Sequence, residues 1–421
     1  MFKLNVTSKE KDGFIYKIMN IDFGNRINEV YFKIPISEKE LLTKSYDPFV
    51  VFNIYNMMEV GGDCYIKGSV NKSLLDNLEM YVDCWKVWMP DKCKSINIIA
   101  DEEIDDHPKK LNDDAVLCYS GGLDSTATLY RHYNNLAGRN NKNIKKLIRV
   151  IGGRDAYSRC RENNNELNEQ LWDTYRQNDI ILNDIGFKPV YIESNMRFTK
   201  EFFAWGDEFI ALYLSTMMLY QDIYHNIILA SDEPVLKECI EVPHASNPIS
   251  NRFLQSNQFR LITDGEFLTR PDKINILKNS NNILNRISFC DRIHSTSVKN
   301  CGICHKCIVT KLAFLATKTD INFDDIFDNP NLDLETIGNP GPVYSKLYKE
   351  IIYYNNINKV LDEKIIIKIK NIIDKCENYE MYNTIEEITD KNNKLLDKIN
   401  KIAWWIPIKK WRDNFRKNIF M

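Results

Sequence analysis

Apolar and polar residues alternate over the first hundred positions of the chain. Phe14-Ile15-Tyr16-Lys17-Ile18 and Val30-Tyr31-Phe32-Lys33-Ile34 have the two-residue period of half-buried strands. This pattern predicts a mixed, strand-rich N-terminal domain over residues 1–112. The acidic stretch 101–106, followed by His107-Pro108, reads as the linker that ends it. From residue 113 the pattern changes. Short apolar runs at 115–119, 147–151, 189–193 and 226–230 alternate with helical stretches at 125–136, 162–185 and 202–224. Strands separated by helices of this length predict an α/β domain over 113–318, with a doubly wound parallel sheet. Beyond it, residues 319–421 predict a helical C-terminal extension through 346–354, 363–376 and 385–402.

Composition narrows the picture. A chain of 421 residues is too long for one ordinary core. Its 56 Lys and Arg against 58 Asp and Glu give a net charge of -2, so no global electrostatic argument favours nucleic acid or an anionic membrane. The 11 cysteines are an odd number, which argues against a fully paired disulfide framework. Met1-Phe2-Lys3-Leu4-Asn5 lacks the apolar core of a signal peptide. The best apolar run, 209–220, contains Ser215 and Thr216 and falls short of the roughly 20 residues of a membrane helix. A cytoplasmic chain with reduced thiols is expected.

Two clusters carry chemistry. Ser120-Gly121-Gly122-Leu123-Asp124-Ser125 follows an apolar strand and opens a helix. Its glycines let the backbone turn tightly and approach an anion, and the helix N-terminus offers free N–H groups. Ser120 and Ser125 add hydroxyl donors. Asp124 fits beside phosphate only with a bridging magnesium ion. Neither G-x-x-x-x-G-K-[ST] nor G-x-G-x-x-G occurs in the chain. The second cluster is Cys301-Gly302-Ile303-Cys304-His305-Lys306-Cys307, with Cys290 upstream. Four thiolates at this spacing suit a closed, structural zinc site, with an iron–sulfur cluster as the alternative. The remaining seven cysteines read as packing residues.

The loop resembles the S-G-G-x-D-S signature of the N-type ATP pyrophosphatases, the PP-loop family. Together with Cys290, Cys301, Cys304 and Cys307, it resembles the 7-cyano-7-deazaguanine synthases of the queuosine pathway over residues 113–318. That resemblance implies a PP-loop fold, ATP and magnesium as cofactors, and structural zinc on the four cysteines. It implies an ATP-dependent ligase that adenylates a 7-deazaguanine-type carboxylate, releases pyrophosphate, and goes on to an amide or nitrile. Asp124 and Lys273, in Arg270-Pro271-Asp272-Lys273, would be the catalytic pair. Substrate contacts would come from Arg154 after the second strand, from Asp207 and Glu208 where the family has Arg and Asn, and from Asp232 and Glu233 after the fourth.

The segments at both ends exceed the compact housekeeping enzyme and are similar in layout to longer homologues of antiphage defence systems. There the activated carboxylate would be joined to a protein amine, with a co-encoded partner. Two other readings are an enzyme of tRNA thiolation or sugar amidation, and a non-catalytic ATP-sensing assembly protein of a defence operon. His244 and Cys118 rank low as site residues. The aromatic and basic stretch 401–421 is expected to dock on the protein's own core rather than on a membrane or an anionic partner.

Overall fold

The computed structural model describes residues 1–108, 112–153, 169–196, 203–232, 244–290, 297–335, 337 and 344–379, together with 394 and 398. Ten strands form one sheet: β1 (Phe2–Lys11), β2 (Phe14–Asp22), β3 (Ile27–Pro35), β4 (Gly62–Asn71), β5 (Ile96–Ile104), β6 (Asp114–Cys118), β7 (Asn143–Ile151), β8 (Val190–Ser194), β9 (Asn226–Ala230) and β10 (Arg260–Asp264). Their order is β10-β9-β6-β7-β8-β3-β2-β1-β4-β5. Pairing from β10 to β8 is parallel throughout. β8, β3, β2 and β1 pair antiparallel, and β1, β4 and β5 are parallel again.

The parallel half is wound on both faces. Helices α3 (Leu123–Tyr133) and α4 (Glu169–Asp184) cover one face and α5 (Trp205–Met218) the other, while α1 (Asp47–Val60) packs on α5, β1 and β4, and α2 (Lys72–Trp88) on β4 and β5. Val116, Ile148, Val150, Ile227 and Leu229 pack with α1, α2 and α5 in one core. Ala115, Leu117, Leu147 and Ile228 pack with Leu129 of α3 and Leu182 of α4 in another. Alternate residues of one strand thus serve opposite cores, as the pleat requires. Within the parallel half, strand order reverses between β6 and β9. Such a reversal leaves a crevice at the carboxyl ends of the two strands.

The boundary expected near residue 112 does not interrupt the sheet. Lys33 of β3 faces Glu193 of β8, with their charged atoms 2.9 Å apart. The acidic stretch expected as a linker is strand β5 as far as Ile104: Glu102, Glu103 and Ile104 pair with Ser69, Val70 and Asn71. An edge strand tolerates exposed carboxylates and gains protection from unwanted pairing by them. Helix α1 escaped the periodicity argument because Asp47 to Met58 are all buried, so no polar face marks it. The helix expected over 202–224 ends at Met218. Leu219 and Tyr220 stay buried beyond its end, so hydrophobicity does not mark the stop.

Four more helices of eight residues or longer belong to the described fold: α6 (Arg270–Leu277), α7 (His305–Ala316), α8 (Ser345–Asn358) and α9 (Glu363–Glu377). Leu123 and Ala127 of α3, Ile274 of α6, Leu312 of α7, Ile351 of α8 and Ile369 of α9 share one core. The C-terminal helices therefore brace the helices that border the crevice. The stretches 385–402 (but for 394 and 398) and 401–421 lie outside the described residues.

Candidate functional site

Chain leaving β6 turns at Gly121, whose φ of +75° belongs to the left-handed region. A Cβ there would stand 2.3 Å from Asn178 Oδ1. Two serines shape the turn: Ser120 N–H donates to Ser125 Oγ at 3.2 Å, and Gly122 N–H to Ser120 Oγ at 3.2 Å. Gly122 precedes α3 and has no side chain with which to cap it. The first turn of α3 therefore keeps backbone donors available for an anion. The Ser288 N–H donates to Gly121 O at 3.0 Å, tying the loop to the segment that leads into the cysteine cluster.

The loop borders a cleft of about 290 Å³ at the β6/β9 reversal. Its wall includes Ser120, Gly122, Leu123, Asp124 and Ser125, the apolar side chains Phe209, Ile210, Tyr213 and Leu229, and the polar residues Arg149, Asp232, Arg270, Ser288 and Lys306. An apolar wall with a few convergent polar groups is the usual form of a small-molecule site. Of the residues expected from sequence, the five loop members just named, Asp232 and the metal-ligand candidate Cys290 meet on this wall.

Asp124 and Lys273 are joined directly, with Nζ 2.6 Å from Oδ1. The same ammonium donates to Ser231 O at 2.6 Å and Asp232 O at 3.3 Å. Lys273 is 2% exposed. Burial pushes the Asp124 carboxyl up, but Lys273, Arg270 and Lys306 outweigh it and hold the group below the usual carboxylate range. Asp232 Oδ1 is buried and has no hydrogen-bond partner among the described residues. Asp124 and Asp232 thus give the cleft two carboxylates, the donor chemistry by which magnesium is held together with phosphate oxygens.

Arg149 escaped the sequence reading. It sits in β7, is 1% exposed, and donates to Ser120 O at 3.1 Å and to Asp179 Oδ1 at 3.0 Å. Tyr175 and Tyr119 lie against its guanidinium, with centroids at 4.6 and 5.2 Å. The signal was available: a charged residue inside an apolar strand is almost never buried unless paired. Arg270, Ser288 and Lys306 escaped for another reason. Only folding brings the first turns of α6 and α7 and the segment before Cys290 to the carboxyl end of β6.

Other predicted residues stand elsewhere. Asp207 caps its own helix, accepting from Ala204 N–H at 3.2 Å, and burial raises its carboxyl. Glu208 is buried beside Tyr55 of α1. Neither belongs to the cleft wall as described. His244 packs on Phe209, with ring centroids 5.7 Å apart. Cys118 lines the cleft. Arg154 and Glu233 lie outside the described residues, as do Cys160 and Cys239.

Cys290, Cys301, Cys304 and Cys307 converge with all ligand atoms within 4.8 Å of one another. Tetrahedral zinc at about 2.3 Å per bond sets its sulfurs roughly 3.8 Å apart. Cys301 and Cys307 Sγ are 3.8 Å apart. The donor set therefore fits a single four-coordinate ion, and it is tighter than a four-iron cluster needs. His305 is not among the converging ligands: its ring meets Tyr344 edge to face with centroids 4.3 Å apart, and burial, Arg270 and Lys306 push it down to about 4. Gly302 turns with φ +79°, and a Cβ there would meet Asn329 O at 2.1 Å. Lys311 Nζ donates to Gly302 O at 2.7 Å and Asn329 O at 2.6 Å, closing the knuckle from below.

Comparison with protein-family models, with curated proteins and with solved structures finds no match for this chain. Among the described residues, no helix is long and apolar enough to cross a membrane.

Proposed function

We propose that the chain is a PP-loop ATP pyrophosphatase that activates a carboxylate as its adenylate. The observation that carries this reading is the placement of the 120–125 loop. It ends the first strand of the parallel half, opens α3, and faces a cleft at the point where strand order reverses. The resemblance in the loop and the four cysteines names the substrate class, a 7-deazaguanine carboxylate, and zinc as the knuckle's metal.

The chemistry follows from the wall. An ionised carboxylate attacks the α-phosphate, the bond to the bridging oxygen breaks, and pyrophosphate leaves. The nucleophile needs no base, because a carboxylate is ionised at neutral pH. Charge accumulates on the leaving group. Backbone donors of the loop and α3, with nearby cations, are preorganised to meet it. Magnesium, held by Asp124 and Asp232, would neutralise further phosphate charge. The aromatic and aliphatic side chains at 209, 210 and 213 exclude water from the acyl-adenylate. An amine then opens it, giving an amide or a conjugate with a protein amine and AMP. A cytoplasmic setting, with magnesium, ATP and a co-encoded acceptor, fits this chemistry.

The test is incubation with ATP, magnesium and 7-carboxy-7-deazaguanine, with and without co-encoded proteins, and mass analysis of every product. AMP and pyrophosphate formed only with the carboxylate present are expected. ADP and phosphate as products, or an unchanged carboxylate in every mixture, would overturn the reading.

A further inference from the structure

A peptide group is planar and trans, so its C=O and N–H point in opposite directions. In the phosphate loop this matters at the bond between Ser120 and Gly121. The carbonyl oxygen of that peptide accepts from Arg149 Nη1 at 3.1 Å. Its N–H, on Gly121, has no hydrogen-bond partner among the described residues. Gly121 is buried, between Ser120 and Gly122 of the cleft wall. An N–H left unpaired at a buried residue is rare in a folded chain and marks a place for an acceptor. Glycine also makes the orientation easy to lose. A peptide flip reverses the C=O and N–H by changing ψ of the first residue and φ of the second, and a glycine in second place tolerates either sign of φ.

Arg149 is held as a brace against that flip. It is 1% exposed, and its Nη2 donates to Asp179 Oδ1 at 3.0 Å. Nη1 also reaches Asn178 Oδ1 at 3.4 Å. Asp179 Oδ2 in turn accepts from the phenol of Tyr191 on β8. The rings of Tyr175 and Tyr119 flank the guanidinium. Tyr175, Asn178 and Asp179 all belong to α4, so this helix grips the loop through one arginine. The rigid planar fork spans the Ser120 carbonyl and the Asp179 carboxylate at once, which the single ammonium of a lysine does not reproduce.

We infer, resting on the ATP chemistry proposed above, that Arg149 is a positioning residue: it locks the Ser120–Gly121 peptide so that Gly121 N–H, and not the carbonyl, meets the phosphates that leave as pyrophosphate. Asp179 and Tyr191 act through it.

The dipeptide Ser-Gly occurs once in the sequence. A full chain labelled with heavy carbon at serine carbonyls and heavy nitrogen at glycine therefore gives one carbonyl-selected amide signal by NMR, that of Gly121. Inorganic pyrophosphate in magnesium should move this signal downfield in the wild type. Calorimetry on the same samples gives Kd for ATP, pyrophosphate and AMP. Arg149→Met should abolish the movement and weaken ATP and pyrophosphate about tenfold, the scale of one charge-assisted hydrogen bond. AMP should change less than about twofold. Arg149→Lys keeps the charge without the fork and should recover little of the loss. Asp179→Asn leaves Arg149 in place and should weaken pyrophosphate about threefold, since the bond to Arg149 loses its charge. That milder variant carries the test if the melting temperature shows that Arg149→Met does not fold. Binding of pyrophosphate with the wild-type Gly121 signal unmoved would overturn the inference and leave the proposed reaction standing. So would wild-type affinity in Arg149→Lys or in Asp179→Asn, or equal weakening of ATP and AMP in Arg149→Met. A wild-type chain that binds neither ATP nor pyrophosphate would remove the reaction and the inference together.

Discussion

Lys273 Nζ lies 2.6 Å from Asp124 Oδ1 and 2.6 Å from the carbonyl oxygen of Ser231. One ammonium thus joins the first turn of α3 to the end of β9, across the point where the sheet reverses. Replacing Lys273 by Met removes the cation and leaves a partly buried carboxylate without its partner. The Asp124 side chain is 27% exposed, so the cost falls below that of a fully buried pair, at about 2 kcal/mol. The sign with pH follows from the lowered Asp124 value. A depressed carboxyl stabilises the fold above its ordinary value of 3.8, and the contribution is lost as pH falls through the folded value below it. Urea midpoints should therefore separate the wild type from Lys273→Met at pH 7 and bring them together in acid. A constant gap from pH 7 to pH 3 would show that the pair contributes nothing.

Gly121 and Asn178 are the next pair to test. Alanine at 121 meets a left-handed backbone, at a cost of about 1–2 kcal/mol, and a Cβ approach of 2.3 Å to Asn178 Oδ1. Asn178→Ala removes the obstacle but also an acceptor of Arg149 and a donor to Arg286 O. The two changes should be non-additive by at least about 0.5 kcal/mol in a double-mutant cycle. ATP affinity should fall in Gly121→Ala and be partly restored in the double variant. Strict additivity by urea denaturation would mean that the loop does not lean on Asn178.

Much of this arrangement was legible in the sequence, for identifiable reasons. The 120–125 loop announced itself because glycine, serine and aspartate are local signals that need no partner. The four cysteines did so because metal ligands repeat at short spacing. Strands β6, β7, β8 and β9 were legible because burial on both faces makes them continuous apolar runs. The same logic hid α1, whose burial on all sides erased its period. The join of β3 to β8 was hidden for a different reason. It pairs residues about 160 apart, and nothing local in Phe32 or Ser194 encodes the other. Arg270 and Lys306 were invisible as a pair for the same reason, being 36 positions apart on separate helices.

Metal removal should reach further than the knuckle. The donor set predicts about one zinc ion per chain by elemental analysis, and a colourless protein. Cys301→Ser or exhaustive chelation should lower the melting temperature, since Cys301 and Cys307 are packed in the core shared by α3, α6 and α7. Gly302→Ala should also lose metal, because the clash at 2.1 Å is with backbone that has little room to yield. Each of these changes should weaken ATP binding about tenfold while the remaining fold persists, since Ser288 and Lys306 flank the cysteines and line the cleft. ATP affinity unchanged in a metal-free, folded chain would separate the two sites.

Tyr354 of α8 donates its phenol to Asp272 Oδ1, and Asp272 Oδ2 accepts from Thr269 N–H at 2.9 Å and Thr269 Oγ1 at 2.6 Å. Helix α8 thus grips Asp272, which closes the capping box of α6 with the N-cap residue Thr269; α6 is the helix of Arg270 and Lys273. Tyr354→Phe removes one hydrogen bond but leaves the cap, so it should cost about 1 kcal/mol and change ATP affinity less than about twofold. Asp272→Ala removes the carboxylate half of the capping box and the grip together, and leaves Thr269 Oγ1 as acceptor of the residue-272 N–H. It should cost about 2 kcal/mol and weaken ATP binding severalfold, because the first turn of α6 loses its anchor. The phenol gives a second signature. Burial and Asp272 raise its pKa above the ordinary 10, so its stabilisation is complete at neutral pH and is lost as pH rises beyond 10. Tyr354→Phe should flatten that part of the alkaline stability profile. If Tyr354→Phe weakened ATP binding as much as Asp272→Ala does, the grip of α8, rather than the cap, would be what holds α6 in place.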